Sequence, residues 1–311
     1  MLKIGLDAMG GDFAPLNAVL GAIDASAHKD IQIWLFGDRE IITGICNNAG
    51  FDPGRFVIVD CKDNILFTDH PVSAFHRKRE SSIVKGFQLL ESGDIDAFAS
   101  AGNTGAMMIG CSLTLNMINK ISRPCISVEL PLINGNKVLL LDVGFNADCR
   151  PDNLLQFGAL GNIYSKSVLG VKEPKVGLLN IGAESGKGNL NVKEAYTLFS
   201  EGSDFNFIGN IEPDNIFTDS CADVVVTDGF TGNLFLKQAE ALYNIVCKRE
   251  IEDAYLSRFN YELYGGTAVL GVSSVVIIGH GRSSSAAIAN MIFKAESVLK
   301  SRLIENFNIF A

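Results

Sequence analysis

The stretch "DAFASAGNTGAMMIG", residues 96–110, passes from an apolar run through two glycines and two small polar residues into a second apolar run with helical spacing. This order predicts a strand, a tight turn and a helix that begins near Gly105, with Asn103 or Thr104 as its cap. The N–H groups of a helix start, at the positive end of the helix dipole, are suited to bind an anion. A capped turn without a ligand is the simpler interpretation.

The same rhythm of short aliphatic runs and longer amphipathic segments recurs outward from this stretch in both directions. The predicted strands are residues 2–7, 31–36, 55–60, 96–100, 137–143, 175–181, 205–210, 222–228 and 274–279. Strands that alternate with helices form a mostly parallel sheet covered by helices, so the predicted fold class is α/β. Ligands of such sheets bind beyond the carboxyl ends of the strands.

Composition excludes several classes of protein. With 311 residues, 47% of them hydrophobic, the chain can bury a large core, and we expect one two-lobed α/β catalytic domain over residues 1–311. The net charge of −9 argues against nucleic-acid binding. Asp7 interrupts the N-terminal apolar segment and no apolar run approaches about 18 residues, so neither a signal peptide nor a membrane span is predicted.

Cysteine and histidine usage points to a reducing compartment without a tightly bound metal. The seven cysteines are scattered and never spaced as C-x-x-C, and the four histidines lack metal-ligand spacing. We therefore expect free thiols, a cytoplasmic location and no structural metal.

Six glycine-rich loops follow predicted strands. They are "DAMGGD" (7–12), "SAGNTGA" (100–106), "LDVGFN" (141–146), "NIGAESGKGN" (180–189), "TDGFTGN" (227–233) and "GHGRSS" (279–284). None matches a dinucleotide fingerprint, and Lys187 is followed by Gly188 where a nucleoside-triphosphate loop has Ser or Thr. A small anion, such as inorganic phosphate, remains the best candidate ligand.

These motifs, together with "DVVVTDGFTGN", "YGG...LGV" and "IGHG.SS", stand in the order seen in the PlsX family, so the chain resembles the bacterial phosphate acyltransferases of phospholipid synthesis. The resemblance covers nearly the whole chain. It implies a Rossmann-like α/β/α sandwich related to the isocitrate and isopropylmalate dehydrogenases. It also implies transfer of a long acyl group from acyl carrier protein to inorganic phosphate, which supplies an acyl phosphate to the downstream membrane acyltransferase, without a cofactor or an obligatory metal.

Attack of phosphate on a thioester requires a cradle for the dianion, donors for the developing oxyanion and a path for the thiolate, but no nucleophilic side chain. For the phosphate cradle we select Asn103, Thr104, Gly105, Thr231 and Gly232. For catalytic roles we select Lys187, which would balance phosphate charge, His280, which would donate to the oxyanion or the leaving sulfur, Asp228 and Asn233. The remaining strand-end residues are assigned to the site wall: Asp7, Gly10, Gly11, Asp12, Asp142, Asn146 and Asn180.

Several of the selected residues also have a simpler, purely structural interpretation. The alternative for Lys187 is a solvated surface lysine, and the alternative for His280 is a structural histidine. The aspartates at positions 7, 12 and 228 can orient backbone turns without taking part in chemistry. Asp142, Asn146 and Asp148 have the oxygen ligands that magnesium prefers, although the resemblance implies no metal there.

A basic cluster, Arg77, Lys78 and Arg79, interrupts the acidic sequence, with Lys85 one or two helical turns later. Acyl carrier protein is acidic, so a local positive patch would attract it to an acidic enzyme. The alternatives are an ordinary solvated helix entrance, or one arginine that reaches into the phosphate site.

The chain departs from the family pattern at several points. Phe13 stands where the family commonly has histidine, Phe145 where it has alanine, and Arg282 is an extra arginine in "GHGRSS". The segment at about 234–263 is shorter than the amphipathic helices that the family uses for dimer contacts and approach to the membrane. Peripheral association with the inner membrane is therefore left open, and a homodimer is the default expectation.

Three alternative functions remain at this stage. A phosphate acetyl- or butyryltransferase that uses acyl-CoA would share the fold and the phosphate chemistry. An NAD-dependent decarboxylating dehydrogenase of the related fold would need a divalent-metal site and an adenine-ribose site. A catalytically silent protein that docks carrier protein is the third.

Overall fold

The computed structural model describes residues 1–28, 30–218 and 222–309, and the side chains as far as residue 307. The strands are β1 (Leu2–Asp7), β2 (Ile31–Gly37), β3 (Val57–Asp60), β4 (Ala97–Ser100), β5 (Cys125–Pro131), β6 (Lys137–Leu141), β7 (Lys175–Leu179), β8 (Asn206–Ile211), β9 (Val224–Val226), β10 (Thr267–Leu270) and β11 (Val275–Ile278). The helices are α1 (Leu16–Ala25), α2 (Arg39–Asn48), α3 (Pro71–Arg77), α4 (Ser82–Glu91), α5 (Thr104–Thr114), α6 (Pro151–Ser167), α7 (Leu190–Gly202), α8 (Gly229–Lys248), α9 (Ser285–Lys300) and α10 (Leu303–Ile309).

The chain folds as two compact units. The first contains residues 1–117 and 261–304, and the second contains residues 118–260 and 305–311. Because the second unit is inserted into the first, the chain crosses between them more than once.

The first unit has the strand order β3-β2-β1-β4-β11-β10. All neighbours in it are parallel except β10, which runs antiparallel to β11. Helix α1 packs closely on α9, because a Cβ on Gly21 would lie only 2.6 Å from the Ile288 side chain. The core beneath the helices holds edge-to-face pairs of Phe98 with Phe36 and Phe87, each with ring centroids 5.5 Å apart.

The second unit has the strand order β5-β6-β9-β7-β8. Its strands are parallel except for the β5–β6 hairpin. Helix α6 packs on β9 and α7. The unit has an aromatic cluster of its own, in which Phe199 meets the rings of Phe205 and Phe207 at centroid distances of 5.2 and 5.0 Å.

The mostly parallel α/β fold predicted from the sequence is confirmed, and each of the nine predicted strands is present. Several are shorter than predicted; the run 222–228, for example, forms a strand only over Val224–Val226. Two strands were missed, β5 and β10, and both are antiparallel to a neighbour. Among the described residues, no helix combines the length and the apolar character needed to cross a bilayer.

Candidate functional site

In the first unit, Asp7 ties together the loops that follow β1 and β4. Its carboxylate accepts hydrogen bonds from the Ser100 hydroxyl at 2.6 Å and the Met9 N–H at 3.0 Å. Ser100 Oγ in turn accepts from the Gly102 N–H at 2.9 Å. Asp7 is only 1% exposed, and this burial raises the pKa of its carboxyl group above the ordinary value, although the hydrogen bonds oppose the shift. Asp7 therefore stabilises the loops after β1 and β4 from a buried position.

Glycine is required at Gly10 and Gly11 for different reasons. A Cβ on Gly10 would overlap the Asp7 carboxylate and approach the Gly102 amide to 2.7 Å. Gly11 has a φ of +114°, a conformation that side chains disfavour. The tight turn brings Asp12 beside the last glycine loop, where its N–H donates to the Gly281 carbonyl at 2.7 Å.

His280 lies in that last loop, stacked on Tyr261 with ring centroids 4.7 Å apart. Its Nδ1 accepts from the Arg282 N–H at 3.2 Å, which assigns the proton of a neutral imidazole to Nε2. The extra arginine thus contributes its backbone to the orientation of the histidine. Phe13, the other departure in this unit, is 54% exposed beside the first glycine loop.

Asn103 is the N-cap of α5, so of the two candidate caps in the sequence the structure uses the first. Its Oδ1 accepts from the Ala106 N–H at 2.9 Å. Its Nδ2 donates to the Leu66 carbonyl at 2.9 Å, which ties the cap to the loop before α3. Asn103 is 5% exposed and its amide is committed to these contacts. The first amides of α5, those of the exposed Thr104 and the half-buried Gly105, are the groups that this helix start presents.

The basic cluster divides into one internal lysine and two exposed arginines. Lys78 Nζ lies 2.8 Å from Asp69 Oδ2, 3.6 Å from Asp63 Oδ1 and 2.6 Å from the Asn64 carbonyl. This set of contacts, the Lys78 staple, orders the loop before α3. Arg77 and Arg79 are exposed, whereas Lys85 is paired with Glu80 at 2.6 Å.

In the second unit, Asp142 organises the loop after β6. It is fully buried and its two carboxylate oxygens accept four hydrogen bonds: from the Ile126 N–H at 3.0 Å, the Phe145 N–H at 3.1 Å, and the Asn146 N–H and side-chain amide at 2.7 and 2.9 Å. Burial raises the pKa of Asp142, and these bonds oppose the shift. With these acceptor sites already used within the protein, Asp142 holds the loop in place.

Helix α8 begins on top of this loop. Its first residue is Gly229, because Asp228 is the N-cap and accepts from the Thr231 N–H at 2.7 Å and its hydroxyl at 3.0 Å. The Gly229 N–H donates to the Asn146 carbonyl at 2.7 Å. A Cβ on Gly232 would overlap the Asp142 carbonyl, so only glycine permits this approach.

These contacts change what α8 offers to a ligand. The N–H groups of Thr231 and Gly232 already donate to Asp228, so they shape the site but are not open donors. Asn233 is half-buried, and its side chain lies 3.6 Å from the position of a Cβ on Gly144.

A cavity of about 450 Å³ opens between the first turns of α7 and α8. Its lining includes Asp228 and Thr231, which the sequence analysis selected, and further residues that it did not select: Ala147, Cys149, Leu154, Asn189, Asn191, Val192 and Phe230. Asn189 had a recognisable signal, since it precedes an amphipathic run and caps α7 by accepting from the Val192 N–H at 3.0 Å. Asp148 and Asp228 make the cavity acidic, so a phosphate dianion near it requires a cation.

Lys187 lies two residues before Asn189, which lines this cavity. It is exposed, in a turn whose Lys187 N–H donates to the Glu184 carbonyl at 3.1 Å. Asn180, 7% exposed at the end of β7, donates from Nδ2 to the Lys187 carbonyl at 3.1 Å. A predicted wall residue therefore holds the backbone of the predicted phosphate lysine.

Buried thiols do not provide a nucleophile. Five cysteines of the described residues are buried: Cys46, Cys61, Cys111, Cys125 and Cys149. Burial raises the pKa of Cys61 and of Cys149 to about 12, which suppresses the reactive thiolate. Cys247 is exposed at the far end of α8, and Cys221 lies outside the described residues.

Comparison with known proteins gives a consistent result over the whole chain. A family profile described as "Fatty acid synthesis protein" matches residues 2–306. A relative named "Phosphate acyltransferase" from Dictyoglomus turgidum is 38% identical over 330 aligned residues, which cover 99% of this chain and 98% of the relative. A relative of the same name from Clostridium tetani is 38% identical, with 98% of this chain and 96% of the relative covered.

Solved structures with the same fold are more distant in sequence. A phosphotransacetylase from Streptococcus pyogenes superposes with a TM-score of 0.67 at 16% identity, over 98% of this chain and 94% of that one. A branched-chain phosphotransacylase from Enterococcus faecalis gives a TM-score of 0.61 at 16% identity, over 96% and 98% of the two chains. At this identity the similarity concerns the fold alone.

Proposed function

Because this chain belongs to the fatty acid synthesis protein family, whose compared members are phosphate acyltransferases, we propose that it transfers a long acyl group from acyl carrier protein to inorganic phosphate. A phosphate oxygen attacks the thioester carbonyl, the carbon–sulfur bond breaks, and the products are an acyl phosphate and the free carrier thiol. The observation that carries the proposal is 38% identity to a phosphate acyltransferase over 99% of the chain.

The chemistry supports direct transfer. A thiol with a pKa of about 8.5 leaves a tetrahedral intermediate without a strong acid. The enzyme therefore needs to bind the phosphate, stabilise the oxyanion and position the carbonyl, which is electrostatic and geometric work. The raised pKa values of the buried thiols are consistent with a reaction that has no acyl-cysteine intermediate.

Each unit, taken by itself, holds candidate groups for binding an anion. In the second unit, Lys187 balances the phosphate charge and Asn233 donates from its side-chain amide. In the first unit, the amides of Thr104 and Gly105 are candidate donors to an anion, and His280 keeps the candidate role that its place in the last glycine loop gave it. The aspartates at positions 7, 142 and 228 hold loops in place through the hydrogen bonds described above.

The choice of acyl carrier protein over acyl-CoA rests on the surface charge of α3 and the loop before it. Arg77 and Arg79 are exposed in a protein of net charge −9, so they form a local positive patch. Leu66 and Phe67, in the loop ordered by the Lys78 staple, are 53% and 51% exposed. An ordered surface that is basic and apolar fits an acidic partner with apolar contact residues.

A second copy of the chain is the proposed partner of α8. Leu234, Leu242 and Ile245 are each more than half exposed on this helix. Next to them is an apolar groove of about 230 Å³, walled by Phe217, Tyr243, Tyr255 and Phe259 among others. Contiguous exposed apolar surface of this kind is typical of an interface, and a homodimer would bury it. Sedimentation analysis of the wild type and of Leu242→Asp tests this assignment: a dimer that the substitution dissociates supports it, and a monomeric wild type refutes it.

The enzymatic test is phosphate-dependent release of free thiol from palmitoyl acyl carrier protein, with mass spectrometry of the lipid product. Acyl phosphate that forms only when enzyme and phosphate are both present supports the proposal. Turnover with a short acyl-CoA but not with acyl carrier protein would favour a phosphate acetyl- or butyryltransferase. Failure of both donors in a folded protein would refute the activity.

A further inference from the structure

A β-bulge in β8 places a second buried asparagine beneath the loop that carries Lys187. Strands β7 and β8 pair in parallel register as Val176 with Phe207, but then as Leu178 with Asn210, so β8 contains one extra residue between the two pairs. Gly209, at the bulge, has a φ of +96°. A bulge changes which face of the sheet the following side chains occupy, and bulges often re-aim a residue next to a functional site.

The re-aimed residue is Asn210. It is 8% exposed, and its Nδ2 donates to the Glu184 carbonyl at 2.8 Å. The same carbonyl accepts the Lys187 N–H that closes the turn. Asn210 therefore donates a hydrogen bond to the first carbonyl of the turn. Asn180 donates one to its last carbonyl, that of Lys187, at 3.1 Å.

These two hydrogen bonds stabilise a turn that would otherwise be disfavoured by the conformational entropy lost when it is ordered. Glycines at positions 182, 186 and 188 give the loop high conformational entropy. The Lys187 side chain crosses Gly182, with its Cγ 3.0 Å from the position of a Cβ there, so a small displacement of the turn moves the ammonium group. The Oδ1 atom of Asn210 is buried and has no hydrogen-bond partner within the described part of the chain, which leaves an acceptor at the base of the loop.

We propose that Asn210 is a positioning residue for phosphate: it fixes the 184–187 turn so that Lys187 meets the anion in one geometry. This inference rests on the proposed role of Lys187. Asn210 itself does not touch phosphate, and no step of the reaction passes through it. If Asn210 positions the turn, replacing Asn210 should weaken phosphate binding and loosen the 184–187 turn, while the acyl donor still binds normally.

The test uses two readouts on Asn210→Ala, on the isosteric Asn210→Asp, which loses the Nδ2 donor, and on Asn206→Ala as a matched control. Asn206 is an exposed asparagine on the same strand. The first readout is the rate of trypsin cleavage after Lys187, measured by mass spectrometry with and without inorganic phosphate. The second is steady-state kinetics with phosphate and acyl donor varied separately, at a temperature below the melting point of every variant.

Loss of one hydrogen bond to a buried group corresponds to about a tenfold effect. We expect cleavage after Lys187 to rise about tenfold in both Asn210 variants, and the KM for phosphate to rise by a similar factor with an unchanged KM for the acyl donor. Asn206→Ala should match the wild type. Because cleavage is measured without turnover, it tests the loop even if the proposed reaction is not observed.

Two outcomes would overturn the inference. One is a folded Asn210→Ala with wild-type cleavage after Lys187 and a wild-type KM for phosphate. The other is a parallel change in both KM values and kcat together with a lower melting temperature, which describes a general structural role. If Asn210→Ala does not fold, the isosteric Asn210→Asp is used in its place, and its cleavage after Lys187 and its KM values decide the question.

Discussion

Asp142 accepts hydrogen bonds from both nitrogens of Asn146, the backbone N–H at 2.7 Å and the side-chain amide at 2.9 Å. Asn146 connects this loop to two other segments. Its carbonyl accepts the Gly229 N–H at the start of α8, and its Nδ2 also donates to the Pro124 carbonyl at 2.7 Å. One buried carboxylate thus holds the loop whose Asn146 carbonyl accepts the first N–H of α8.

Asp142→Ala should lower the free energy of unfolding by about 3 kcal/mol, since it leaves several buried donors without an acceptor. Denaturant unfolding followed by circular dichroism measures the change. Asp148→Ala, an exposed aspartate of the same loop, should shift the midpoint little. Equal midpoints for the two variants would show that Asp142 does not organise the loop.

Lys187→Ala should reduce kcat/KM for phosphate by about thirtyfold, the effect expected when one charged hydrogen bond to an anion is lost. Its melting temperature should stay near that of the wild type, because the Lys187 side chain is exposed. Lys193→Ala, an exposed lysine on α7, is the control in the same kinetic assay. A Lys187→Ala enzyme with normal phosphate kinetics would assign Lys187 to the solvated surface.

The Lys78 staple should give the protein an acid-sensitive contribution to stability. The hydrogen bond from Lys78 holds the pKa of Asp69 below its ordinary value of 3.8, so the ionised form is favoured in the folded state. The stabilisation is complete above that value and is lost as the pH falls through the lowered pKa. The difference in melting temperature between the wild type and Asp69→Asn should therefore be constant from about pH 5 upward and shrink below about pH 4. A difference independent of pH would argue against the ion pair.

Thiol labelling should distinguish Cys247 from the buried cysteines. At neutral pH, iodoacetamide should modify Cys247 rapidly and leave Cys46, Cys61, Cys111, Cys125 and Cys149 unmodified until the protein is denatured. Peptide mapping by mass spectrometry identifies each site. Rapid labelling of Cys149 in the folded enzyme would contradict its burial and would reopen the possibility of an acyl-cysteine intermediate.

Charge reversal at Arg77 and Arg79 should impair the use of acyl carrier protein specifically. The double variant Arg77→Glu/Arg79→Glu should raise the KM for acyl carrier protein by about tenfold at low salt, and the difference should narrow as salt screens the patch. Turnover of an acyl-pantetheine thioester without the protein carrier should be unchanged. Lys172→Glu/Lys175→Glu, two exposed lysines of the second unit, is the matched control. Equal effects of both double variants would indicate net charge and not a docking surface.

Much of the fold was predictable because parallel strands buried on both faces leave continuous aliphatic runs. The two missed strands are antiparallel and less uniform: β5, "CISVELP", carries Glu129, and β10, "TAVL", has only four residues after two glycines. A signal for the β5–β6 hairpin was present in Asn134-Gly135, a pair typical of tight turns between strands. It was not recognised among so many other glycine turns.

The candidate site was predictable in its loops and less so in its contacts. The sequence identified Asp142, Asp228 and Asn103 as strand-end or helix-start residues, but it did not show which of their atoms are already used within the protein. Lys78 is the clearest case, since the two aspartates that neutralise it stand 9 and 15 positions earlier in the sequence. Asn210 was missed because its orientation depends on a bulge, and alternation along a strand does not indicate where a bulge will occur.

Because of the bulge at Gly209, the presence or absence of a single residue decides which face of the sheet the following side chains occupy. Removal of that single residue would restore regular pairing between β7 and β8 and would turn the side chain at Asn210 to the opposite face of the sheet. A protein of this architecture can therefore gain or lose the support of the loop that carries Lys187 through a one-codon insertion or deletion, without any substitution in the loop itself.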